Sequence, residues 1–150
     1  MIVSTQLIFL GKIAIASILG GVVGIEREFA EKPAGFRTHM LVCAASAFFV
    51  LLAGLTVSSF EQQSLVTIDP IRLIEAVIVG ISFLGAGTIL KNTREGSVEG
   101  LTTSASILLV AAIGIAVALD AFILAVGVTL LNLIINWGIS FIANRFSLNK

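Results

Sequence analysis

The sequence predicts an all-α fold: a polytopic membrane bundle of five transmembrane helices, with the N-terminus outside and the C-terminus inside. Three observations carry this prediction. The 150 residues are 57% hydrophobic and only 12% charged, with a mean hydropathy of +1.10. A soluble domain carries about 25% charged residues, so roughly half the usual charge is missing. The charges that exist gather in clusters at Glu26–Arg37, Glu61–Glu75, Lys91–Glu99 and the C-terminal tail. Between the clusters lie apolar stretches close to the ~20 residues that a bilayer-crossing helix needs.

The first helix is expected over Leu7–Ile25. No positively charged segment precedes it and no small-x-small cleavage site follows a short apolar core, so it reads as a retained helix rather than a signal peptide. Ala16, Gly20 and Gly24 recur every four residues and fall on one face, where small side chains let a neighbouring helix approach closely. The second helix, His39–Ser58, contains the chain's single cysteine, Cys43, a small apolar packing residue that has no partner for a disulfide within one chain. The third, Ile71–Leu90, carries Ala76 and Gly80 at the same four-residue spacing, and Gly87 two turns on. Its end, Gly80-Ile-Ser-Phe-Leu-Gly-Ala-Gly87, looks superficially like a phosphate loop. No Gly-Lys-Ser/Thr follows, and no strand precedes it, so the glycines are assigned to helix packing. The fourth helix is Thr102–Leu119 and the fifth Ala121–Ala143, joined through Asp120 as a turn residue. Along the fifth helix Thr129, Asn132, Asn136 and Ser140 form a polar stripe, read as bundle glue with a candidate partner-binding face as the alternative.

Together these helices fill residues 1–150 as one transmembrane domain. Arg27, Lys32 and Arg37 in one loop, Lys91 and Arg94 in another, and Arg145 and Lys150 in the tail set the orientation by the positive-inside rule. A weak repeat aligns Ser17-Ile-Leu-Gly20 with Ser82-Phe-Leu-Gly85 and Gly35-Phe-Arg-Thr38 with Gly100-Leu-Thr-Thr103. It suggests a parallel helix-hairpin repeat, helices 1–2 against helices 3–4.

The composition excludes several functions. A net charge of zero supplies no basic stripe for nucleic acid, and one histidine with one cysteine makes no Cys/His metal cluster. No nucleophile–base pair or cofactor motif is present, so neither an enzyme nor a bound cofactor is expected. Lys12 and Glu75 lie inside apolar spans, where an isolated charge costs at least ~2.5–3.5 kcal/mol, and they are expected to pair with each other. The alternative has Lys12 snorkelling outward and Glu75 bonding Arg72. Asp69 and Glu75 are the candidate ligands for a divalent metal. Mg²⁺ prefers an octahedron of hard oxygens, and two carboxylates make a thin case for it.

Five ordered blocks then identify a known pattern. Gly24-Ile-Glu-Arg27, Ala34-Gly-Phe-Arg-Thr-His39, Asp69-x-x-Arg72, Gly80-Ile-Ser-Phe-Leu-Gly-Ala-Gly87 and Gly100-Leu-Thr-Thr-Ser-Ala-Ser106 resemble the signatures of the MgtC/SapB family in order and spacing. The resemblance implies a multi-pass protein of the bacterial inner membrane, linked in the name-giving branch to magnesium limitation, survival in macrophages and restraint of the F-type ATP synthase. The broader family carries a magnesium-transport label. The resemblance carries over Glu26, Arg27, Gly35, Arg37, Thr38, His39, Asp69, Arg72, Gly85, Gly87, Thr102 and Thr103 as a functional cluster. This chain departs from the pattern at Ser82 for a glycine, Glu75 for glutamine, Leu108 for tryptophan, and at Ala118 and Asp120 in a glycine-rich turn. The resemblance covers the membrane part only, and the soluble C-terminal domain of the name-giving branch is not expected here.

These readings converge on a non-enzymatic regulator that contacts a membrane complex through its helices, with the lipid bilayer around it and the F-type ATP synthase as the partner implied by resemblance. A homo-oligomer is the alternative use of the small-residue faces. The alternative function is an ion permease or channel of magnesium type.

Overall fold

Both prolines of the chain fall between long apolar segments, and the helices run uninterrupted from one punctuation to the next. The structure, a computed structural model, describes residues 2–61, 69–91 and 97–147. In chain order it forms α1 (Ile2–Phe29), α2 (Phe36–Glu61), α3 (Pro70–Ala86), the two-residue strands β1 (Leu90–Lys91) and β2 (Val98–Glu99), α4 (Leu101–Ala118) and α5 (Phe122–Ser147). The strands pair antiparallel, Leu90 opposite Glu99, and close the connection between α3 and α4 into a small hairpin.

The helix ends follow from local chemistry. At α1 the Lys32 N–H donates to the Arg27 carbonyl and the Glu31 N–H to that of Glu28, both at 3.0 Å, with Glu31 left-handed at φ 53°. This is the pair of bonds that satisfies orphan carbonyls at a helix end, with glutamate where glycine is usual. The same device ends α4: the Ala121 N–H donates to the Ala116 carbonyl, the Asp120 N–H to Val117, and Asp120 sits at φ 62°. Pro70 opens α3, and the Asp69 carboxylate accepts from the Ile71 N–H at 3.0 Å.

α4 is the central helix. It packs against α1, α2, α3 and α5, and ten of its 18 residues are buried, as expected of a helix that is apolar all round. Close approaches at glycines bind α2 to its neighbours. A Cβ added at Gly24 of α1 would lie 2.7 Å from Phe36 Cα, and one at Gly114 of α4 would collide with the Cys43 carbonyl. Cys43, Ala16, Val23, Val110, Ile113 and Val117 make up the middle of the core.

The five-crossing topology is corrected here. Among the described residues three helices are long and apolar enough to cross a membrane: Val3–Phe29, Phe36–Val57 and Leu101–Ala118. α3 has 17 residues, a rise of about 26 Å against a hydrocarbon core of about 30 Å. The apolar stretch Phe122–Gly138 in α5 is also short of spanning length. The sequence reading placed the end of the third helix at Leu90, but the chain leaves the helix after Ala86. The Thr88 hydroxyl folds back on the Gly85 carbonyl, and Leu90 and Lys91 pair as a strand. Composition counted Gly87, Thr88, Ile89 and Leu90 as helix because none of them is charged.

The hairpin-repeat reading, part of that same topology, meets a second difference. Gly35 and Gly100 both stand just before a helix, but Gly100 alone has φ +87°, where the Thr88 carbonyl would block any Cβ.

Candidate functional site

A polar layer crosses the bundle where α1 ends and α2 and α4 begin. Glu26 and Arg27 occupy the last turn of α1 and are 5% and 3% exposed. The guanidinium grips the neighbouring carboxylate with two bonds, Nε to Oε2 at 2.6 Å and Nη2 to Oε1 at 2.9 Å. Such a fork neutralises both charges inside an apolar bundle. Glu31 follows Arg27 by four residues, the spacing of an ion pair on a continuous helix. The left-handed turn carries Glu31 away, and the carboxylate beside it is used instead.

One turn into α2, His39 is fully buried. Its Nδ1 lies 2.9 Å from the Gly35 carbonyl, and its Nε2 lies 2.9 Å from Ser106 Oγ on α4. A carbonyl only accepts, so Nδ1 carries the proton; Nε2 of the neutral ring then accepts from the serine hydroxyl. Thr103, 2% exposed, lies one turn before Ser106 on the same face of α4. A serine–imidazole pair can serve as a nucleophile and base, but here both members are closed inside three packed helices. The bond works as a lock between α2 and α4.

α5 contributes to the same layer. Lys12 Nζ on α1 meets Asp120 at 2.8 Å and the Ala118 carbonyl at 3.2 Å, which fixes the register of α1 against the start of α5. Twelve residues from Lys12 reach Gly24 and twelve from Asp120 reach Asn132, about 18 Å along either helix. Asn132, 4% exposed, therefore lies at the depth of Gly24 and His39, and its Oδ1 accepts from Asn136 Nδ2 at 2.6 Å. Among the described residues Arg27 Nη1 and Asn132 Nδ2 are the buried side-chain nitrogens without a hydrogen-bond partner.

The residues singled out in the sequence divide into three groups. Glu26, Arg27, His39 and Thr103 are buried in the layer, and Gly35 adjoins it. A Cβ at Gly85 would lie 2.7 Å from Ser104 Oγ, so this glycine seats α3 on α4. Arg37, Thr38, Thr102 and Gly87 are exposed around the layer. Asp69 and Arg72 sit at the start of α3, away from it, 3.9 Å apart and both more than half exposed. Of the helix-packing set, Ala16 is buried in the core and Gly20 and Gly24 are buried against α2, whereas Ala76 and Gly80 are exposed and a Cβ at Gly80 would touch nothing within 4 Å. Thr129 and Asn132 point into this chain's own core and Asn136 is half-buried; the side chain of Ser140 lies outside the described residues.

The expected Lys12–Glu75 pair is not formed. Asp120, left-handed in its turn, reaches Lys12 from the α4–α5 corner, while Glu75 faces outward on α3. Among the described residues no three His, Cys, Asp or Glu side chains cluster as metal ligands. Three residues were missed as site members. Ser106 could have been found from its three-residue spacing to Thr103. Glu28, which accepts the Phe36 N–H at 2.7 Å and caps α2, and Asp120 as the partner of Lys12 depend on turns that reverse the chain.

The membrane-facing surface offers apolar grooves. One of about 470 Å³ lies between α2 and α3, lined by Phe49, Ala53, Leu73, Ala76, Gly80 and Leu84. Another of about 290 Å³ lies between α1 and α2, against Phe9, Leu10, Phe48 and Leu52.

Comparison with known proteins gives one consistent result. The model of the MgtC family matches residues 13–145. The chain is 37% identical over 109 residues to YhiD of Escherichia coli, whose name assigns it a candidate magnesium-transporter role, covering 73% of this chain and 50% of that protein. It is 35% identical to SapB of Bacillus subtilis, covering 70% of this chain and 45% of the relative. It is 39% identical to MgtC of Brucella abortus, covering 67% of this chain and 38% of the relative. The chain spans about half the length of the first two of these relatives. No solved structure matches it significantly.

Proposed function

The chain belongs to the MgtC/SapB family and is a multi-pass membrane protein, and on that premise we propose that it is a non-enzymatic regulator that acts by lateral helix contact with a membrane complex. The observation that carries the reading is the division of labour between inside and outside. Glu26 pairs with Arg27 and His39 with Ser106 inside the bundle, while the outward surface offers apolar grooves along α2. A protein built this way recognises a partner by shape and van der Waals contact in the bilayer plane. The polar layer fixes the angles of the helices that form those grooves. The family resemblance ties the activity to magnesium limitation in the bacterial inner membrane and makes the F-type ATP synthase the first partner to test. Affinity purification from gently solubilised native membranes recovers a specific membrane complex under this reading; recovery of the protein alone contradicts it.

A second reading, an ion permease of magnesium type, is favoured by the name of the Escherichia coli relative. Its ligands would be Asp69 and Glu75. Purified protein in liposomes would then pass Mg²⁺ above the rate of empty vesicles, with loss in Glu75→Gln.

A further inference from the structure

α3 presents an outer face unlike that of α5. Among the described side chains, the exposed side of α5 carries no charge, with Ile123, Leu124, Leu130, Ile134 and Trp137 all more than half exposed. The exposed side of α3 carries Arg72, Glu75, Val79, Phe83 and Ala86, spaced by three, four, four and three residues, so that they form one stripe. Its charges lie at bilayer depth. Gly85 abuts Ser104, and α3 runs antiparallel to α4; ten residues back from Gly85, Glu75 therefore lies level with Gly114, inside the span Leu101–Ala118. Among the described residues Glu75 has no ion-pair or hydrogen-bond partner, and Arg72 reaches Asp69 alone, at 3.9 Å. A carboxylate facing outward at that depth needs a countercharge.

We propose that this stripe is the seam of a parallel homodimer, in which Arg72 of each copy pairs with Glu75 of the other. On the helix Arg72 and Glu75 flank the line through Val79 and Ala86 at about 30° to either side, and they differ by about 4.5 Å in height. A two-fold axis along the membrane normal brings Arg72 of one copy against Glu75 of the second, and the reverse, while Val79 meets Val79. The charges are thus self-complementary under the one symmetry open to two copies inserted the same way. The long arginine side chain spans the difference in height. Phe83, 81% exposed, adds an aromatic contact lower in the seam. This inference does not depend on which external partner the regulator has, and it assigns Glu75 to the seam rather than to a metal.

Disulfide trapping in native membranes tests it. The native Cys43 is buried, so wild type serves as the unreactive control. Val79→Cys and Ala86→Cys are expected to give a disulfide-linked species of twice the monomer mass, and Ile123→Cys and Ile134→Cys on α5 are expected to stay monomeric. In the Val79→Cys background, Glu75→Arg alone and Arg72→Glu alone should each lower trapping about tenfold, equal to about 1.4 kcal/mol of association. The double swap R72E/E75R should restore it. The proposal is overturned by any of three results: absence of the α3 disulfides, an adduct whose mass shows a different protein at Val79, or single charge swaps that trap as well as their parent.

Discussion

Gly24→Ala probes a close contact between α1 and α2 in the layer. A Cβ at Gly24 would stand 2.7 Å from Phe36 Cα and 3.0 Å from both the Phe36 carbonyl oxygen and His39 Cβ. Carbon atoms rest at about 3.5–4.0 Å, so α1 and α2 must separate by about 1 Å, and the atom opposed is backbone that no rotamer change can move. Overpacking of this kind costs about 1–3 kcal/mol. Gly54→Ala in α2 is the matched control, because a Cβ there meets nothing within 4 Å, and it should gain the helix preference of alanine, up to about 1 kcal/mol. The two variants should therefore move in opposite directions from wild type and stand about 1–4 kcal/mol apart. Cys43, the single cysteine and fully buried, supplies the assay: a fluorogenic maleimide labels it only as the protein unfolds. At roughly 2–4 °C per kcal/mol for a chain of this size, the Gly24→Ala melting curve should fall several degrees below that of Gly54→Ala. Coincident curves would refute the close-approach reasoning.

Three further outcomes follow from the layer and its tether. Arg27→Ala leaves the Glu26 carboxylate buried and unpaired, a loss of about 3–5 kcal/mol, and the double variant with Glu26→Gln should recover part of it in the same labelling assay; no recovery would argue against the pair. His39→Ala and Ser106→Ala should be non-additive by about 0.5–1.5 kcal/mol, since each removes the same bond between α2 and α4, whereas an additive double variant would deny that bond. Asp120→Asn should weaken the α1 tether by up to about 1 kcal/mol, discounted because Asp120 is 66% exposed. Glu75→Gln should leave monomer stability unchanged, and the reverse order would restore the Lys12–Glu75 pairing that the sequence suggested.

Much of the architecture was legible because apolar runs and their punctuation act locally. The chain is all-helical apart from one short hairpin, with five helices built on its apolar runs, and Asp69-Pro70 marks a helix start by its own chemistry. Membrane-crossing length was less legible. Hydropathy does not show that the chain leaves α3 at Ala86, because Thr88, Ile89 and Leu90 remain apolar or bond backward without continuing the helix. The polar layer was half legible. Glu26, Arg27 and His39 stood out as charges and a lone imidazole in motifs, but the His39–Ser106 bond joins residues 67 apart and needs the fold to be seen. The partner of Lys12 was missed for the same reason. Asp120 reaches it through a left-handed corner residue, and spacing along one helix cannot forecast that.

Photocrosslinking from the groove between α2 and α3 tests the central claim most directly. A benzophenone amino acid at Ala53, which lines that groove, is activated in intact bacterial membranes and the adducts are identified by mass. The regulator account predicts a specific adduct with a subunit of another membrane complex, lost when Phe49→Ala reshapes the groove. Adducts with lipid alone, together with Mg²⁺ flux by the purified protein in liposomes, would contradict it.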